Sequence, residues 1–142
     1  MLRQLMIAGV FAANAAAANA ASFELRLETA CGDNDKPYQL EGTSHEYCFT
    51  PAKVIDETGV IRVERYPVIA KAIVKITPAA SDRLLAATTP AGAKNLGVIF
   101  NGKLIFFAMA DEPLKLDALQ LSLSNAPGEV DALVAAFPGP AP

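Results

Sequence analysis

Residues 96–114 read LGVIFNGKLIFFAMADEPL, two almost wholly apolar runs meeting at Asn101-Gly102. A type I′ turn needs positive φ at both central residues, which Asn and Gly tolerate, so this stretch is predicted to be a β-hairpin. Its strands, Leu96–Phe100 and Leu104–Ala110, are apolar on both faces. Phe106 and Phe107 must point to opposite sides, and so must Leu104 and Ile105. A strand of this kind belongs in the middle of a fold, and the remaining chain must supply two covers for it.

The flanking sequence supplies the first. On the N-terminal side, VIRVERY (60–66) and VIAKAIVKI (68–76) are rich in β-branched residues and separated at Pro67, which predicts two strands. In the second, Val68, Ala70, Ala72, Val74 and Ile76 line an apolar face, and Lys71 and Lys75 share the other with Ile69 and Ile73. Thr77-Pro78 then offers an N-cap and a proline at the first helical position. PAASDRLLAATT follows with Ala80, Leu84, Leu85 and Thr88 at helical spacing, ending before Pro90 and Gly92. After the hairpin, LQLSL (119–123) alternates as a strand, and SNAPGEVDALVAAF (124–137) reads as an amphipathic helix. Ser124 or Asn125 is its expected cap, acids occupy its first turn, and Val130, Leu133, Val134 and Phe137 form its stripe.

The second cover must come from the N-terminal portion, residues 22–66, or else that face is an exposed apolar patch, which on a protein surface marks an interaction site. SFELRLETA (22–30) alternates as a strand with one buried face. CGDNDKPYQLEGTSHEYC (31–48) reads as a loop with at most a short strand at Tyr38–Leu40. The expected fold is therefore α+β: a mostly antiparallel sheet, two helices packed on one of its faces, and one disulfide-pinned N-terminal loop. Residues 22–137 are expected to form a single domain, with 138–142 a frayed tail.

The chain begins MLRQLMIAGVFAANAAAANAA, with a basic residue at Arg3, a short apolar run and an Ala18-Asn19-Ala20 end. This is the pattern of a secretory signal peptide over residues 1–21, too short in its apolar part to span a bilayer. The expected mature chain is periplasmic or secreted, without a membrane span. It carries 11 basic against 15 acidic residues, net −4, with no dense run of either sign. That charge excludes the basic footprint that nucleic acid requires. Cys31 and Cys48 are the only cysteines, and export favours their pairing as a disulfide. Together with His45, the single histidine, they are one ligand short of a structural zinc site, so no metal or cofactor is expected.

Catalytic patterns are missing from the sequence. It contains no G-x-S-x-G, no H-E-x-x-H and no phosphate-binding glycine loop. The adjacent acids Asp56-Glu57 and Asp111-Glu112 fall where strands should end, and read as solvated turn charges.

AIVKITPAASDRLLAATTPAGAKNLGVIFNGKLIFFAMADEPL, followed by LQLSL and an acid-led helix, resembles the head portion of the first periplasmic domain of the SecD protein-export subunit. The likeness rests on Ile76-Thr77-Pro78, Thr88-Thr89, Leu96–Ile99, Asn101-Gly102-Lys103 and the helix Pro127–Phe137, and covers residues 68–137. It implies an α+β fold of that type and a domain able to contact polypeptide.

The expected function is thus that of an exported, non-catalytic domain binding a protein or peptide partner in the cell envelope through the sheet face or edge near the hairpin. Ile73, Asn101, Lys103, Phe106 and Phe107 are the candidate binding surface. Two alternatives remain open at this point. One is an inhibitor or immunity-type protein that inserts the Cys31–Cys48 loop into a secreted enzyme. The other is an envelope hydrolase using two converging acidic residues.

Overall fold

The computed structural model describes residues 21–67 and 70–140. Residues 1–20 of the expected export signal lie outside them, as do Val68 and Ile69 at the start of the expected strand and the last two residues of the tail.

The predicted antiparallel α+β fold is present, with its strands divided between two sheets. In the first, β1 (Phe23–Thr29) is central. On one side it pairs antiparallel with β7 (Lys94–Phe100), which forms the hairpin with β8 (Lys103–Ala110). On the other side its beginning pairs with β4 (Ile55–Asp56) and its end with β3 (Glu46–Phe49). β2 (Tyr38–Gln39) borders β3. A 3-10 turn, Glu57–Gly59, leads to the second sheet, whose order is β5 (Val60–Arg65), β6 (Lys71–Ile76), β9 (Ala118–Ser122). Helix α1 (Pro78–Thr88) carries the chain from the second sheet to the first, and α2 (Gly128–Ala136) packs on β5 and β6.

The local chemistry follows the sequence at most of these points. Asn101 and Gly102 have φ of 49° and 82°, the positive pair a type I′ turn demands. Thr77 caps α1, its Oγ1 accepting from the Ala80 N–H at 3.1 Å, with Pro78 first in the helix. The end of the chain differs. Pro127 precedes α2 without any side-chain cap, because Asn125 is used elsewhere: its Nδ2 donates to the carbonyls of Glu41 (2.9 Å) and Ile105 (3.1 Å).

Both sheets and both helices feed one main core. Phe23, Leu25, Leu96, Val98 and Phe100 enter it from the first sheet, and Val63, Val74, Ile76 and Leu121 from the second. Ala80 and Leu84 of α1 and Val130 and Leu133 of α2 complete it.

The second face of the hairpin is covered by residues 38–49. The strand path β2-β3-β1-β7-β8 closes on itself, since Leu40 bridges Leu104 in parallel and the Glu41 N–H donates to the Leu104 carbonyl at 2.9 Å. Four antiparallel steps bring β2 back parallel to β8, so the closure agrees in direction with the ladder. Within this ring Ile99, Leu104 and Cys48 are buried apart from the main core. Tyr47 stacks on Phe107 with ring centroids 3.8 Å apart, and Phe49 meets Phe107 edge-on at 6.3 Å. Gly97 is the floor under the Phe49 ring. The Cys31–Cys48 disulfide, Cα atoms 5.2 Å apart, ties the chain ahead of this segment to the strand that carries Tyr47 and Phe49.

Candidate functional site

The candidate surface residues scatter once folded. Phe107 is half-buried under Tyr47, and Phe106 is half-buried against the main core on the opposite face. Asn101 sits at the hairpin tip and pins the start of β1: its N–H donates to the Ser22 carbonyl at 3.0 Å and its Oδ1 accepts the Ser22 N–H at 2.9 Å. Lys103 reaches α2, with Nζ 2.6 Å from Glu129 Oε2. That hydrogen bond, helped by the charges of Glu129 and Glu41, raises the Lys103 ammonium above its ordinary range. Ile73 lies on the other sheet, half-buried with Lys71 and Lys75 on the face of β6 turned away from the core. Of the five, only Phe106 borders the site described next.

A cleft of about 170 Å³ opens between β8 and β9. Its floor is apolar core, including Leu25, Leu84 and Val98. Successive residues of each strand line it, Ala108 to Ala110 on one side and Leu119 to Leu121 on the other. Because successive residues of a strand point to opposite faces, a lining of this kind presents the strand's edge. β8 pairs with β7 over its length and touches β2 only at Leu104, and β9 pairs with β6 alone, so both edges at the cleft lack a strand partner among the described residues. Three large apolar side chains are exposed among the described residues. Two of them, Met109 at 65% and Leu116 at 37%, border this cleft.

One wall is the β8–β9 connection, and a buried hydroxyl fixes it. Thr88 Oγ1, near the end of α1, accepts the Leu114 N–H at 2.8 Å and donates to the Leu84 carbonyl at 2.8 Å. Ser81 Oγ donates to the Leu116 carbonyl from the same helix. Replacing Thr88 with Val keeps the shape but leaves the Leu114 N–H unpaired, and should cost about 1 to 2 kcal/mol in chemical denaturation. The exchange rate of that one amide should rise with it. In the β8–β9 connection Asp111, Glu112 and Asp117 are exposed, with Lys115 the one base among them.

Met109, Leu114 and Leu116 were not among the sequence candidates. The signal was present in the spacing of two in LKLDAL, where Leu114 and Leu116 alternate with Lys115 and Asp117.

The other candidate groups have structural tasks. Asp56 accepts from both the Oγ1 and the N–H of Thr58, which hold its carboxyl below the ordinary 3.8, and so it caps the 3-10 turn. Glu57 Oε1 accepts the Phe23 N–H at 3.4 Å. His45 is exposed in the tight turn between β2 and β3, its N–H donating to Thr43 Oγ1 and its carbonyl accepting the Leu40 N–H. Among the described residues, no group of three His, Cys, Asp or Glu side chains is placed to hold a metal ion, and no helix is long and apolar enough to cross a membrane.

No protein-family model and no curated protein matches the sequence. Solved structures do match the fold. A crystal structure of SecDF in a super-membrane-facing form aligns with 82% of this chain at a TM-score of 0.59 and 8% identity. A structure of SecDF described as a membrane component that enhances protein export aligns with 82% at 0.60, also at 8% identity. The chain spans 18% of the length of the first and 61% of the second. At that identity the likeness is one of fold, an α+β domain of the kind found in SecDF.

Proposed function

We propose that this chain is an exported, non-catalytic binding domain that holds an extended segment of polypeptide in the cell envelope, along the cleft between β8 and β9. The observation that carries this reading is the coincidence, among the described residues, of two unpaired strand edges with two of the three exposed large apolar side chains. An added strand supplies main-chain hydrogen bonds, and its alternate side chains enter the apolar floor. The acidic β8–β9 connection favours a segment whose outward residues are basic. Export is supported by the leader pattern of residues 1–21, by the disulfide, and by the fold shared with SecDF. The loop-insertion alternative loses ground because Tyr47 of that loop stacks on Phe107 of the protein's own hairpin, and its Tyr38 meets the neighbouring Phe49 edge-on.

The test is fluorescence anisotropy with a labelled, unstructured peptide that alternates leucine and lysine. Met109→Asp and Leu116→Asp should each weaken binding by roughly tenfold or more, about 1.4 kcal/mol. Ile73→Asp, on the far sheet face, should leave it unchanged. Equal binding by all three variants would remove the cleft from consideration.

A further inference from the structure

We propose that residues 31–49 are a lid over the hairpin's second face, clasped by Cys31–Cys48, and that reduction by a dithiol opens it while the rest of the domain stays folded. This goes beyond the binding reading and stands without it. Within the segment only Cys48 is fully buried; Tyr38, Leu40, Tyr47 and Phe49 are half-buried, and none of them belongs to the main core. Its backbone attachment to β1 is two register pairs, Glu28 with Phe49 and Thr29 with Cys48. Its other holds are the Tyr47–Phe107 stack, the Phe49 ring set over Gly97 and edge-on to Phe107, and the seam where Glu41 meets Leu104 and Asn125. A segment with few buried contacts and few ladder bonds is one that opens as a local unit. The side chains beneath it, Ile99 and Leu104, stand apart from the main core, so their uncovering does not breach that core.

The exchange chemistry is also accessible. Cys31 is exposed, whereas Cys48 is 4% exposed. A dithiol, such as a thioredoxin-type protein, attacks the Cys31 sulfur through one thiolate. The S–S bond breaks, and Cys48 leaves as thiolate and takes up a proton. The reductant's second thiol resolves the mixed disulfide and frees the Cys31 thiol. Two electrons and two protons pass from the dithiol, which ends as a disulfide. Opening then bares Gly97, Ile99, Leu104 and Phe107, an apolar face distinct from the β8–β9 cleft.

Hydrogen exchange read by mass spectrometry tests this on the intact chain, before and after dithiothreitol under native conditions. Amides of 38–49 should exchange on the order of 100-fold faster when reduced, from the lost closure of a loop of this length. Amides of β6, β9 and α1 should keep their protection, and an apolar dye should gain fluorescence. Unchanged exchange at 38–49 would mean that the lid holds without its clasp. Loss of protection throughout would mean that the disulfide holds the whole domain, and either result overturns the proposal. The Cys31→Ser, Cys48→Ser double variant should reproduce the reduced pattern without reductant, and its failure to fold counts with the second result.

Discussion

Phe100→Ala is expected to lower stability by about 3 to 5 kcal/mol, the largest effect of any single truncation in the hairpin. Phe100 is 1% exposed and stands opposite Phe23 across the β1–β7 ladder. Both rings lean on Phe137, at centroid distances of 6.4 Å and 6.1 Å. Phe137 follows α2 directly, and its carbonyl accepts the Val63 N–H at 2.9 Å. The three rings therefore join the hairpin, the end of α2 and the edge of the second sheet. Removing the Phe100 ring leaves a cavity that no one of these elements can close alone. Since domains of this size are stable by only about 5 to 15 kcal/mol, the variant should be marginal at room temperature. Urea unfolding measures it, with a lowered midpoint and an unchanged slope.

Gly97→Val should cost about 1 to 3 kcal/mol, although valine is the better strand residue. Gly97 is buried in β7, opposite Phe107, and a Cβ there would stand 2.4 Å from two carbons of the Phe49 ring and 3.0 Å from Leu104. Phe49 cannot step aside freely, because Tyr38 and Phe107 both meet it edge-on, at 6.0 Å and 6.3 Å. The expected result is displacement of the lid with the main core kept. Near-ultraviolet dichroism should lose part of its aromatic signal while the far-ultraviolet spectrum holds. A neutral or stabilising outcome would mean that the closed ring contributes little to the native state.

The hairpin and α1 were legible because each is specified by residues close in sequence. Asn101-Gly102 sets its own turn, and Thr77-Pro78 sets its own cap. The paired cysteines were legible from their number and from the leader-like pattern before them. β3 was not, since EYCF lies in a stretch rich in turn residues and its four residues pair only two positions of β1. The closure of the first sheet on itself was equally hidden, because it depends on one bridge between Leu40 and Leu104, 64 positions apart. Asn125 misled for a related reason. Its position suited a helix cap, but two carbonyls brought in from Glu41 and Ile105 claim its amide. An edge near the hairpin was expected as a binding route, but the cleft itself was not legible, because it needs β9 brought opposite Met109 of β8 and no local pattern specifies that placement.

The claim that an extended polypeptide docks between β8 and β9 is tested most directly by amide chemical-shift mapping of the labelled protein during titration with the leucine–lysine peptide. The largest shifts should fall on residues 106–110 and 118–122, the two edges that line the cleft. Shifts confined to the lid or to the outer face of β6 around Ile73, or no shifts at all, would contradict it.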